Sequence, residues 1–219
     1  MPSTIIDSQI HGSLFSTDEM RKIFSDESWV QKWLDTEAAL ATAQAELGVI
    51  PQEKADIINQ YAKAELIDIP SIGEYYKSSI TIVPLLKAFK AILPDNAGEY
   101  VHWGATSQDI VDTGLVLLQR DAYNVILRYL KLCQKSILKL AEKYRDVPMA
   151  GRTHVVHAIP ITFGYKAAVW ADELGRDIQR MEAMYNRVFV GEMVGAVGTL
   201  ASQPAHGLET QTRMLKFLA

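Results

Sequence analysis

Two short stretches concentrate side chains able to hold an anion and move a proton. In "HWGATSQDIVDTG", His102 to Gly114, a histidine, two glycines, three hydroxyls and two aspartates stand at the start of the longest helical pattern of the chain. Gly104 permits close backbone approach, and Thr106 and Ser107 together with the free N–H groups of a helix start would converge on a small anion such as a carboxylate. Ser107 also suits a helix N-cap, and Asp109 and Asp112 complement the helix dipole. Those structural roles leave His102, beside Trp103, without an explanation.

The second stretch, "GRTHVVHAIP", runs from Gly151 to Pro160 and places a glycine, a cation, a hydroxyl and two histidines in what reads as a loop. Loops on rigid scaffolds are where chemistry concentrates. His154, with Arg152 and Thr153 before it, is the candidate for proton transfer or for stabilising negative charge, because histidine titrates near neutrality. His157 reads as a packed or capping residue. A metal held by His154 and His157 lacks the third protein ligand such a site requires, so no metal is assigned. A third stretch, "GEMVGAVGTLAS" from Gly191 to Ser202, either makes a tight connection or offers the backbone of Gly198 and the hydroxyl of Thr199 to an anion.

These groups need rigid elements to position them. Apolar residues recur at helical intervals from Asp26 to Leu47, with Glu37 the polar exception, between a cap at Ser25 and a stop at Gly48. Shorter helices are predicted over Pro51–Ala64 and Ile82–Leu93, with a turn over Pro94–Tyr100. From Ser107 to about Tyr144 the pattern continues without a proline, a rod of about 57 Å. A second long pattern runs from Pro160 to about Val190, and a third helix occupies "HGLETQTRMLKFLA". No strand pattern with hairpin signals stands out. The fold class is all-α, with a small helical N-terminal domain over 1–101 and the first part of a long-helix bundle over 102–219. The last helix ends on an apolar residue with unsatisfied carbonyls, which reads as a truncated chain.

Composition bounds the function classes. The 219 residues are 48% hydrophobic and 22% charged, the balance of a folded chain rather than a disordered one. A net charge of −4, with scattered basic residues, argues against nucleic acid as a partner. Cys133 is the only cysteine, which suits a reducing compartment, and neither a signal sequence nor a membrane span is read, so the cytoplasm is the expected location.

"TSQDIVDTG" and "GRTHVVHAIPITFGYK", separated by one very long helix, resemble the first two signature regions of the fumarase/aspartase superfamily. The resemblance covers the chain from about Leu14 to its end. It implies homotetramers with active sites assembled from three subunits, and β-elimination at a carbon next to a carboxylate with no cofactor. It also implies that Thr106 and Ser107 bind a substrate carboxylate, that Asp109 orients their loop, and that Thr153 and His154 act on the leaving-group side, His154 as general acid. The base implied by the family is a serine in a third signature region that lies outside this chain, so the chain alone is expected to lack turnover. Within the superfamily, "HWGATSQD" and the segment from Leu14 to Pro51 look most like 3-carboxy-cis,cis-muconate cycloisomerases of aromatic compound degradation. Adenylosuccinate lyases, the alternative, carry an Arg-Tyr pair and a histidine where this chain has Leu14 with Phe15 and Ile80. That loss argues against a phosphorylated substrate. His154, in contrast, matches the adenylosuccinate lyases.

Overall fold

A computed structural model describes residues 4–6, 8, 10–75 and 82–219 of the protein. The chain forms two compact units, Met1–Asp121 with Phe189–Ala219, and Ala122–Val188. Among the described residues the structure is helical apart from one two-stranded hairpin, in keeping with the all-α class. Ile80, whose identity entered the substrate argument, lies outside the described residues.

The first unit opens with two short helices, α1 (Gly12–Phe15) and α2 (Asp18–Ile23), followed by the central helix α3 (Asp26–Glu46). The Ser25 hydroxyl accepts the Ser28 N–H at 3.3 Å and so starts α3 as a serine cap does. Three further helices follow, α4 (Gln52–Tyr61), α5 (Ile69–Tyr75) and α6 (Val83–Ile92), and then the 37-residue α7 (Ser107–Lys143). After an excursion through the second unit the chain returns at Phe189, and α9 (Gly207–Leu218) packs on α3.

Why α3 shows little one-sided amphipathicity follows from its place: it is covered on both sides. Leu34 joins Ile58, Leu85, Phe89 and Ile110 in one cluster, while Leu40 joins Met193 and Met214 in another. A fully buried leucine of this kind contributes about 1.5–3 kcal/mol. The polar residues caught inside α3 are each assigned a partner. Thr36 donates to the Lys32 carbonyl, Glu37 meets His102, and Gln44 donates to the Trp103 carbonyl. At the end of α9, Arg120 donates to the carbonyls of Leu218 and Ala219, at 2.6 and 3.0 Å. The expectation that these terminal carbonyls would lack partners is thereby corrected.

The second unit contains the remainder of α7, the hairpin and α8 (Phe163–Val188). Here α7 and α8 run antiparallel, tied by the Lys131–Glu182 ion pair at 2.6 Å and by a Gln134 amide that donates to the Ala171 carbonyl. Tyr123 meets Tyr185, and Tyr144 meets Phe163, both edge to face. Between the helices stand β1 (Pro148–Thr153) and β2 (Val156–Thr162), paired antiparallel. The hairpin corrects the sequence reading of this region as a loop. It also moves the helix start from Pro160 to Phe163, with Pro160 taken up in β2.

Candidate functional site

α7 begins at Ser107, which makes Ser107 the first helical residue and Thr106 the cap, one position ahead of where the sequence reading put it. The Asp109 carboxylate accepts the Thr106 N–H at 2.9 Å, the reach-back half of a capping box. Thr106 and Ser107 are half-buried, and neither hydroxyl forms a hydrogen bond to protein among the described residues.

Asp109 is fully buried and does more than cap. Its Oδ1 accepts the Val194 N–H at 2.8 Å and its Oδ2 the Gly195 N–H at 3.0 Å. Three backbone donors on one carboxylate are charge-assisted bonds, each of the stronger kind. They fasten the 191–202 segment to the start of α7. Thr113, one turn further along, adds a reciprocal pair: its hydroxyl accepts the Glu192 N–H at 2.9 Å and lies 3.1 Å from the Glu192 carbonyl. Burial, and then the negative charges of Asp112 and Asp109, raise the Glu192 carboxyl above the usual carboxylate range. Within the same segment, Gly198 and Thr199 are exposed, and the Gly198 N–H turns back onto the Gly195 carbonyl at 3.2 Å.

The turn that precedes α7 is held from both sides. Gln44 and Gln203 each donate to the Trp103 carbonyl, at 2.7 and 3.3 Å, and the Ser202 hydroxyl donates to the Gly104 carbonyl at 2.9 Å. Gly104 has φ of +73°, and a β-carbon there would stand 2.7 Å from the Gln203 amide nitrogen. A side chain there would be strained by the left-handed backbone and would have to displace the Gln203 side chain. His102 has φ of +66°, and its Nδ1 lies 2.6 Å from Glu37 Oε1. Glu37 went unassigned in the sequence reading; the signal available there was a single acidic residue inside an apolar helix face.

Arg152, Thr153 and His154 belong to the second unit, where all three side chains are exposed on the hairpin. Thr153 pairs with Val156, so His154 and Val155 alone make the turn, at φ of +39° and +63°. Two-residue turns with both φ positive favour asparagine and glycine, and a β-branched valine there is strained. The register shifts between Ala150 and Arg152, and a β-carbon on Gly151 would stand 2.5 Å from the Ile159 carbonyl oxygen. The structure thus gathers His102, Thr106, Ser107, Asp109, Gly198 and Thr199 in the first unit. It places Arg152, Thr153 and His154 in the second. Among the described residues no group of three or more potential metal-binding side chains occurs, and no helix is long and apolar enough to cross a membrane.

Chemically, the first-unit groups offer two uncommitted hydroxyls, a helix start and an imidazole nitrogen to a negatively charged oxygen. The hairpin offers a second imidazole to water. A family profile described as "Lyase" matches residues 14–218. An N-acetyl-S-(2-succino)cysteine lyase of Enterococcus italicus is 46% identical over 219 residues, covering 100% of this chain and 48% of that protein. An adenylosuccinate lyase of Methanothermobacter thermautotrophicus is 44% identical over 205 residues, covering 93% of this chain and 46% of that one. The crystal structure of a β-carboxy-cis,cis-muconate cycloisomerase from Acinetobacter calcoaceticus superposes with a TM-score of 0.92 at 39% identity, over 96% of this chain and 50% of that one. The chain spans about half the length of each of these relatives. The chain belongs to this lyase family, the fumarase/aspartase superfamily.

Proposed function

We propose that the whole protein is a cofactor-free lyase that eliminates a heteroatom leaving group from a carbon next to a carboxylate. The observation that carries this reading is the pair Thr106 and Ser107 at the start of α7, half-buried, with hydroxyls that no described residue claims, on a loop tied down by Asp109. Removal of a proton beside a carboxylate pushes charge onto that carboxylate, and preorganised donors stabilise charge where it develops. Thr106 and Ser107 hold the carboxylate, with His102 and the hydroxyl of Thr199 as further donors; the Gly198 N–H, turned back onto the Gly195 carbonyl, is not among them. His154, contributed by another subunit of the proposed assembly and aided by its Thr153 and Arg152, gives its proton to the departing heteroatom as the carbon–heteroatom bond breaks. The base that takes the carbon-bound proton lies outside these residues.

The substrate side follows from what the chain lacks and what it keeps. Leu14 and Phe15, exposed on α1, supply no cation for a phosphate. His154 retains a proton donor for a leaving group. A succinyl compound without a phosphate, such as the succinyl thioether named for the Enterococcus relative, satisfies both conditions. A second reading, 3-carboxy-cis,cis-muconate cycloisomerase, is favoured by the segment from Leu14 to Pro51 and by the muconate-enzyme neighbour. Assembly as a homotetramer belongs to the same proposal: Tyr129, Leu132 and Leu138 on α7 and Tyr165, Val169 and Trp170 on α8 are exposed in the single chain, and subunit association would cover them. So do the domain division at 101/102, a cytoplasmic location and a lack of nucleic-acid and membrane partners.

Assay of the whole protein with N-acetyl-S-(2-succino)cysteine, carboxymuconate and adenylosuccinate tests the reading, by ultraviolet absorbance of the unsaturated product or substrate. Turnover of the first supports the leading reading and turnover of the second the alternative. Turnover of adenylosuccinate alone overturns the argument against a phosphorylated substrate, and turnover of none overturns the lyase.

A further inference from the structure

Glu37 breaks the apolar face of α3, and the proposed reaction makes no use of it. Its side chain is 1% exposed. A carboxylate in such surroundings persists only when a partner offsets the loss of water. That partner is His102, 65 residues further along, with Nδ1 2.6 Å from Glu37 Oε1. Glu37 Oε2 is buried and has no hydrogen-bond partner, so the compensation runs through one nitrogen of one ring.

His102 is constrained from the backbone as well. Its φ of +66° is left-handed, a conformation that non-glycine residues keep where the surroundings over-determine it. The two glutamines on the Trp103 carbonyl supply that constraint on the next residue. The His102 side chain retains 16% exposure, and Nε2 has no hydrogen bond among the described residues. An imidazole whose Nδ1 faces a carboxylate keeps a proton on Nδ1 in both charge states of the ring. Its Nε2 is therefore a lone pair in the neutral ring and a donor in the charged one.

We propose that Glu37 is a positioning residue: it fixes the orientation of His102 and holds a proton on Nδ1, so that the charged ring presents Nε2–H to the carboxylate substrate. This rests on the reading of His102 as a substrate-binding group. A glutamate that only filled space in α3 would leave the ring's tautomer unaffected when replaced.

The test reads the tautomer directly, by long-range nitrogen–carbon-bound-proton correlation on histidine-labelled protein without substrate. Wild type is expected to carry the neutral-ring proton on Nδ1. In Glu37→Leu, which replaces a buried charge by an apolar side chain of similar length, the proton is expected to move to Nε2. In Glu37→Gln, whose carbonyl still accepts from Nδ1–H, it is expected to stay. In the whole protein Glu37→Leu should lower kcat roughly 10–100-fold, by analogy with the loss when the orienting partner of a metal-ligating histidine is removed. Glu37→Gln should stay within a few-fold, and both should melt near the wild-type temperature. An Nε2–H ring in wild type overturns the proposal, and this result needs no variant that folds. So does a Glu37→Leu protein with lower melting temperature and activity but an unchanged tautomer. Failure of the unaltered protein to act on any of the three substrates overturns the functional reading separately, since the tautomer is measured without turnover.

Discussion

Oδ2 of Asp109 accepts the backbone N–H of Gly195 at 3.0 Å, across 86 residues of sequence, while the same oxygen holds the N–H of Thr106 at 2.9 Å. One buried carboxylate thereby joins the start of the longest helix to the loop that returns from the second unit. Asp109→Asn retains the shape but loses the charge, and one amide group cannot accept from all three donors. Loss of about 2–3 kcal/mol of unfolding free energy is expected in denaturant titration. Faster hydrogen exchange at Val194 and Gly195 should accompany it, with slow exchange retained in the middle of α3.

Glu192 gives a pH dependence of fixed sign. Burial first, and then Asp112 and Asp109, raise its carboxyl in the folded state. The ionised form is therefore penalised by folding. The penalty is absent below the unfolded-state value of about 4.3, grows as pH rises through the raised folded-state value, and is complete above it. Glu192→Gln should be more stable than wild type at pH 7, with the difference closing as pH falls below about 4. Thermal melts of both proteins across that range check the direction.

Gly104→Ala combines an unfavourable left-handed backbone with a β-carbon set 2.7 Å from the Gln203 amide. A loss of roughly 1–3 kcal/mol is expected. Because the displaced loop carries Trp103 and leads into Thr106, KM in the whole protein should rise more than kcat falls.

His154→Gln tests the proton donor. The side chain is exposed, so the melting temperature should change little. Loss of general acid catalysis should reduce kcat by about 10²–10⁴. A substrate analogue whose leaving group departs without protonation should recover most of that rate.

The long elements were legible because their signals are local. The apolar period and the Ser25 cap located α3, and the proline-free run located α7 to within a residue at either end. The hairpin was not legible. Its turn is made by His154 and Val155 in place of the residues that ordinarily mark such a turn, and Pro160 resembles a helix start. The candidate site was legible as residue types, through Thr106, Ser107 and Asp109. Its wiring was not. Asp109 looked like a helix-dipole residue, and nothing near it in sequence indicates that Val194 and Gly195 are its partners. The link between Glu37 and His102 likewise spans 65 residues and has no local signature beyond one acidic group in an apolar face.

The central claim is that the start of α7 holds a substrate carboxylate. Its most direct test is an amide-shift titration of the whole protein with the unsaturated dicarboxylate fumarate, followed at Thr106 and Ser107. Saturable shifts at both amides, abolished in Thr106→Val/Ser107→Ala while the rest of the spectrum is retained, are the expected result. Saturable binding that leaves those two amides unmoved, or that persists undiminished in the double variant, would contradict it.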